Sequence, residues 1–278
     1  MMSLEGKVAL ITGAGSKRGM GHAIALKLAS EGADIIITDK YAVPKSMFPG
    51  DETWGGLNAE VAEIKALGRD TLALTMDVSN SQEIDEAVAK SLEKFGKIDI
   101  MVHAAGIRGP VGIPVVDLSE KDIRAVIDID LVASFLLCKA IAKTMIDKGA
   151  GGKIVIISSL SGLKPQPGSA AYGAAKAGSI SLTKSLALEL AKYQINVNGI
   201  NPAVFITNLR DETYAKLAAT QGISWEEARK KDQGGLAKMI PWGRPGTPEE
   251  IADLACFLVS DLSRYMTGET IILGGGVN

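Results

Sequence analysis

Cysteine, histidine and aromatic side chains are scarce in this chain: two Cys, two His and 5% aromatics in 278 residues. Cys138 and Cys256 fall inside apolar helical patterns (FLLCKAIAKTM and IADLACFLV). They read as small buried hydrophobes in a reducing cytoplasm, not as a disulfide framework. His103 has no His, Cys or carboxylate at metal-ligand spacing beside it, so no metal site is expected. Charge runs are absent and the net charge is −2. Nucleic acid and anionic membranes are therefore poor partners. No apolar run is long enough to span a bilayer, and Met1 to Lys7 lead straight into the apolar Val8-Ala-Leu-Ile11 with no signal peptide, so a cytoplasmic location is expected. Repeats, low-complexity tracts and Pro/Gly-rich linkers are also missing. One domain over 1–278 is expected.

What is present is aliphatic. Short apolar strands at 8–12, 34–38, 71–76, 98–103, 153–158, 195–200 and 269–273 alternate with amphipathic helices. The helices fall near 20–31, 57–67, 81–95, 119–148, 171–192, 211–232 and 248–260. Alternation of this kind predicts βαβ units and a parallel sheet with helices on both faces, joined by right-handed crossovers. Two stretches interrupt it. Residues 40–56 (KYAVPKSMFPGDETWGG) have no usable periodicity and read as a loop after the second strand. Residues 203–247 begin and end irregularly around two amphipathic patches, and read either as a lid over a site or as a surface excursion.

Thr12-Gly-Ala-Gly-Ser-Lys-Arg-Gly-Met-Gly21 follows the first strand and opens a helix. Glycines there let the backbone turn sharply and approach a pyrophosphate, whose charge the free N–H groups of the helix start can hold. Strand, turn, helix and second strand occur in the order a dinucleotide site requires. Gly13, Gly15, Arg18, Gly19, Met20 and Gly21 are the candidate contacts. The second strand ends at Asp39, where a carboxylate accepts hydrogen bonds from ribose hydroxyls and repels a 2′-phosphate. NAD is thus favoured over NADP. Lys17 and Arg18 pull the other way, as cations that meet a 2′-phosphate, or else form a solvated loop tip. Asp77, with Val78, is placed to meet the adenine edge, or else caps the next helix, a role that residues 79–82 can also fill.

Tyr172 and Lys176 lie four apart, on one helix face, thirteen residues after Ser159. A phenol ordinarily loses its proton near pH ~10, and an adjacent ammonium favours the phenolate. Such a pair can serve as an acid/base.

Taken together, Thr12-Gly13…Gly19-x-Gly21, Asp39, Asp77-Val78, Ala104-Ala105-Gly106, Ile157-Ser-Ser159, Tyr172-x-x-x-Lys176, Asn201-Pro202…Thr207 and Pro245-x-x-Pro-Glu-Glu-Ile-Ala252 resemble the short-chain dehydrogenase/reductase family, over essentially the whole chain. The resemblance implies a Rossmann-type fold with a seven-stranded parallel sheet, usually a homotetramer or homodimer. It implies hydride transfer between NAD and a secondary alcohol or ketone. Tyr172 would be the acid/base, Lys176 would bind the nicotinamide ribose and favour the tyrosinate, and Ser159 would hold the substrate oxygen. Pro202, Phe205 and Thr207 would line the nicotinamide, and the backbone of Ala104, Ala105 and Gly106 would pass beneath the cofactor. A rival reading is a cofactor-binding protein with weak or lost catalysis, acting as sensor or scaffold.

The chain departs from that pattern in three places. Five residues lie between Gly13 and Gly19 where the family has three. Asp130 stands where relatives carry an asparagine that helps hold a water connecting the lysine to solvent. A carboxylate there either joins the relay and pairs with Lys176, raising the tyrosine pKa and giving an alkaline optimum, or faces water or pairs with Lys139 or Lys143. His103 replaces an asparagine and reads as a core or sheet-end residue, and His22 as a helix-start residue. Arg108, Lys164 and Arg210 are the cations that either meet a substrate anion or remain solvated. Apolar content on 119–148 and 171–192, and the strand Thr270-Ile-Ile-Leu273, suit subunit contacts.

Overall fold

A computed structural model describes residues 3–277. One parallel sheet holds β1 (Val8–Thr12), β2 (Asp34–Asp39), β3 (Thr71–Thr75), β4 (Ile100–His103), β5 (Gly152–Ile157), β6 (Ile195–Pro202) and β7 (Thr270–Leu273). The spatial order is β3-β2-β1-β4-β5-β6-β7. Strand succession reverses between β1 and β4, which opens a crevice at the carboxyl ends of those strands. The helices are α1 (Met20–Ser30), α2 (Leu57–Ala66), α3 (Ser81–Phe95), α4 (Glu120–Ile127), α5 (Ala133–Lys148), α6 (Ala170–Leu190), α7 (Asn208–Gln221), α8 (Trp225–Met239) and α9 (Pro248–Val259).

Strand residues point alternately to opposite faces. In β1, Ala9 and Ile11 join a core layer built with α1, α2 and α9, while Val8 and Leu10 join one built with α3, α5 and α6. Both faces are therefore buried, and every β1 residue is buried. That is why these strands read as continuous apolar runs. One cysteine lies in each layer, Cys256 in the first and Cys138 in the second. Burial pushes the Cys138 thiol up to about 12 and the Cys256 thiol to about 11, so both stay inert thiols.

Some elements differ from the sequence expectation. The single helix at 119–148 is two helices joined by a π-helical turn, Asp128–Val132. The helix at 211–232 is also two. Gly222 takes the left-handed conformation that ends α7, and Ser224 with Glu227 forms the capping box that starts α8. β4 begins at Ile100, and just before it the Asp99 carboxylate accepts the Val8 amide, at 2.9 Å. The helix cap near Asp77 is Asn80, which accepts the Gln82 amide at 3.0 Å. Residues 40–56 carry no regular element, yet Asp51 and Trp54 within them are buried.

Glu60 on α2 is fully buried, and neither carboxylate oxygen has a hydrogen-bond partner. Burial, with Glu63 and Asp39 nearby, pushes it up to about 9 from 4.5. An acid with a raised folded-state value costs nothing below its unfolded value, where both states are protonated. From there its cost grows until pH reaches the folded value, by up to about 1.4 kcal/mol per pH unit. Stability is expected to fall between about pH 5 and 9 as a result. Thermal melts should show Glu60→Gln raising Tm by several degrees at pH 8 and little at pH 5. An equal change at both would contradict the assignment.

Candidate active site

The glycine turn is built by contact between backbones. Gly13 has φ 71°, and a Cβ on it would stand 2.6 Å from the Ala105 Cα. A Cβ on Gly21 would strike the Gly13 carbonyl. The start of α1 thus sits directly on the turn after β1, and that turn on the segment after β4. Gly19 is the N-cap and supplies no side chain to the first amides of α1. Those amides are suited to a pyrophosphate. The extra residues close into a tight turn in which the Gly19 amide donates to the Ser16 carbonyl at 2.8 Å. Gly15 is held from two sides: its amide donates to Asp39 Oδ2 at 3.0 Å, and its carbonyl accepts Trp54 Nε1 at 2.8 Å.

Thr12, at the end of β1, fixes the neighbouring segment. Its hydroxyl oxygen accepts the amides of Ala104 and Ala105, each at 3.2 Å, and lies 2.8 Å from His103 Nδ1. With two amides accepted, the hydroxyl proton goes to Nδ1. Burial and the Lys176 charge push His103 down to about 3, so the ring is neutral. His103 is a sheet-end residue, as its surroundings in the sequence imply. His22, at the start of α1, meets Glu63 Oε2 at 2.7 Å and packs edge-on against Trp54.

Asp39 lies at the carboxyl end of β2, largely buried. Burial pushes its carboxyl up, and the amides of Gly15, Lys40 and Tyr41 work against that. Two expected cofactor contacts are otherwise engaged. Arg18 pairs with Asp51 and with Asp211, both at 2.7 Å, and its amide donates to Asn208 Oδ1. It fastens the glycine turn to the 40–56 loop and to α7 instead of offering a phosphate ligand. Asp77 Oδ2 pairs with Lys40 at 2.5 Å, while Oδ1 accepts the Ser79 amide and hydroxyl. Burial opposes ionisation of Asp77, but Lys40 and Ser79 prevail and hold it below the usual carboxylate range. Its side chain is thus engaged within this loop. Val78 and Met20 pack into the core layers. Lys17 donates to the Gly50 carbonyl at 3.2 Å.

Ser159 follows β5, and Tyr172 and Lys176 lie on the first turns of α6. Lys176 is buried, with Nζ 5.6 Å from the centre of the Tyr172 ring. Its counter-ion is Asp130, in the π turn, with Oδ1 2.9 Å from Nζ. The alignment is that of an ion pair without a good hydrogen bond, since Asp130 Oδ1 has no such partner. Asp130 Oδ2 accepts the Ile107 amide at 3.3 Å, and Lys176 Nζ donates to the Ile157 carbonyl at 3.3 Å. The ammonium keeps donors to spare for a ribose. Burial pulls Lys176 down, but the charges of Asp130 and Tyr172 outweigh it and hold the ammonium above its ordinary value. A Cβ on Gly106 would lie 2.5 Å from Asp130 Oδ1, so only glycine passes over this pair. Lys139 and Lys143 take no part.

Other groups hold these in place without having stood out in the sequence. Ser158 and Ser179 both donate to the Lys176 carbonyl, at 2.8 and 2.9 Å. Ser158 adjoins Ser159, which is the only hint of its role. Ser159 Oγ accepts the Ser161 amide at 3.1 Å, which orients the oxygen and leaves its proton to donate. Thr207 is the N-cap of α7 but makes no capping bond, so its hydroxyl remains available. Beside buried Pro202, the amide of Asn201 is fully buried with both atoms unpartnered. These polar groups fit the carboxamide end of a nicotinamide, as the uncapped α1 fits the pyrophosphate. Phe205 differs from expectation: its ring is buried in the core against Gly246. Lys164 is exposed, and Arg210 is bound through two hydrogen bonds to Asp232.

A family model described as enoyl-(acyl carrier protein) reductase matches residues 13–278. The chain is 35% identical to a 3-oxoacyl-[acyl-carrier-protein] reductase of Synechocystis sp., over 100% of this chain and 99% of that one. It is also 35% identical to an L-rhamnose 1-dehydrogenase (NAD(P)(+)) of Sphingomonas sp., over 100% and 98%. Among solved structures, levodione reductase superposes with a TM-score of 0.86 at 29% identity, covering 98% of this chain and 97% of that one.

Thr12 gives a direct test of the site's scaffold. Thr12→Val is expected to cost about 2–4 kcal/mol, because it strands two amides and an imidazole nitrogen. Thr12→Ser should cost under about half of that. Urea unfolding that places both variants within error of the wild type would contradict the assignment.

Proposed function

We propose that this chain, which belongs to the short-chain dehydrogenase/reductase family, is an NAD-dependent oxidoreductase that interconverts a secondary alcohol and a ketone, with Tyr172 as acid/base. The observation that carries the reading is the buried Lys176 ammonium, paired with Asp130 and lying 5.6 Å from the Tyr172 ring. When bound, the nicotinamide would supply the hydride acceptor or donor. Gly13, Gly15, Gly19 and Gly21, the start of α1, Asp39, the backbone of 104–106, Lys176, Pro202 and Thr207 would hold that cofactor.

In the oxidation direction the substrate hydroxyl lies between Ser159 and Tyr172. Ser159 donates its hydroxyl proton to the substrate oxygen, and the Tyr172 phenolate takes the substrate's proton. Lys176 favours that phenolate by its field. Asp130 weakens the field while fixing the ammonium in place. Opposite charges ~4 Å apart attract by roughly 4 kcal/mol at an effective dielectric near 20, so this compensation is substantial. An alkaline optimum follows. His103 and the lengthened turn each have a structural role and remove no catalytic group.

NAD over NADP is supported by two features. Asp39 would stand against a 2′-phosphate, and of the two cations in the turn Arg18 is consumed by Asp51 and Asp211, while Lys17 donates to the Gly50 carbonyl. Residues 203–247, with α7 and α8, are the candidate lid. Exposed Val132, Phe135 and Leu188 on the long helical segments support assembly as a homodimer or homotetramer.

The test is absorbance at 340 nm with NAD or NADP and a panel of secondary alcohols, sugars and hydroxy acids. NAD is expected to support turnover better than NADP. Tyr172→Phe should lower kcat by roughly 10²–10⁴-fold. A kcat in Tyr172→Phe within about tenfold of the wild type would contradict the assignment.

A further inference from the structure

Among the described residues, four arginines are half-buried: Arg18, Arg69, Arg108 and Arg210. Three of them have carboxylates. Arg18 pairs with Asp51 and Asp211, Arg69 with Glu5 and Asp34, and Arg210 with Asp232. Arg108 alone has neither an ion pair nor a hydrogen bond from its guanidinium to any described residue. No contact within the described fold therefore accounts for its half-buried position.

Its position is tightly fixed. The preceding amide, of Ile107, is held by Asp130. A Cβ on the following residue, Gly109, would strike Val126 of α4. Farther along the loop, the Gly112 amide donates to the Gly168 carbonyl at 2.9 Å, just before α6 begins. The loop is thus fastened both to the element that carries Asp130 and to the segment that leads into Tyr172. The ionisable groups around Arg108 are Arg210, Tyr172 and Asp232. Asp232 is already claimed by two bonds from Arg210. Lys176, the other cation of the site, is neutralised by Asp130. One positive charge without a counter-ion therefore sits on the loop that runs between the Asp130 contact and the segment leading into α6. Burial and then Arg210 lower its pKa from the ordinary value, but a guanidinium stays charged at any working pH.

We propose that Arg108 binds an anionic group on the substrate, a carboxylate or a phosphate carried by the same molecule as the reacting alcohol or ketone. A guanidinium meets either group through two parallel N–H bonds, which sets orientation as well as affinity. This rests on the dehydrogenase reading and narrows it. Neutral polyols and cyclic alcohols would leave Arg108 unpaired.

The experiment compares lactate, 3-hydroxybutyrate and malate with their methyl esters, and glycerol 3-phosphate with glycerol. Each is assayed with the wild type, Arg108→Ala and Arg108→Lys. Binding of the same anions to Tyr172→Phe protein is measured by calorimetry, which needs no turnover. The wild type is expected to favour at least one anion over its neutral counterpart tenfold or more in kcat/KM, mainly through KM. Arg108→Ala should erase that preference and the binding heat, and Arg108→Lys should keep part of both. The carboxylate and phosphate arms identify the group. Equal use of anion and neutral partner by the wild type, or the same loss on both in Arg108→Ala, would overturn the proposal. If nothing in the panel is turned over, calorimetry decides. Anion binding that depends on Arg108 supports the proposal, and its absence or independence from Arg108 overturns it. A kcat in Tyr172→Phe within about tenfold of the wild type would instead sink the acid/base role of Tyr172 on which the dehydrogenase reading rests.

Discussion

The ion pair between Lys176 and Asp130 ties together elements that are far apart in sequence. The ammonium comes from α6, the carboxylate from the π turn between α4 and α5, and Gly106 after β4 passes over both. Neither charge is tolerable in that position alone. The π turn is the local distortion that directs Asp130 inward, and such turns recur at functional sites. Ser158 and Ser179 then hold the Lys176 carbonyl, so the ammonium is placed by its backbone as well as by its counter-ion. The arrangement does two things with opposite effects. It keeps a cation beside Tyr172, and it reduces the field that cation exerts.

At the other end of the crevice, Arg18 plays a comparable organising part. Its two carboxylates belong to the 40–56 loop and to α7, and Trp54 closes the same loop onto Gly15. Glycine turn, loop and candidate lid therefore share one knot. Its members are partly buried charges that satisfy one another, so loss of any one leaves others unpaired. The same logic marks out Arg108. Among the half-buried arginines of the described residues, it is the one with no carboxylate partner.

Much of this was legible in the sequence because it depends on local pattern. Strand alternation, the glycine turn and the Tyr172/Lys176 spacing are properties of short windows, and the seven parallel strands follow from them. The sequence of 119–148 reads as one continuous helix because a π turn leaves helical periodicity almost intact. The sequence of 211–232 reads as one helix because the Gly222 stop is a single residue. Side-chain partners were harder. Asp130 pairing with Lys176 was one of two open readings, since both residues lie on long helices with other lysines near. Arg18 and Asp77 looked like cofactor contacts because sequence shows which loop holds a residue, not which distant carboxylate or lysine reaches it first. Asp51, Trp54 and Asp211 carried no signal at all: their meaning lies wholly in tertiary contact.

The central claim is that Asp130 tempers the Lys176 field at Tyr172. The pH dependence of kcat/KM for NAD-linked turnover, in the wild type and in Asp130→Asn, measures it directly. The expected result is an alkaline limb in the wild type that moves toward neutrality in Asp130→Asn, with the fold intact by thermal melt. An unchanged profile in a folded variant would contradict the account.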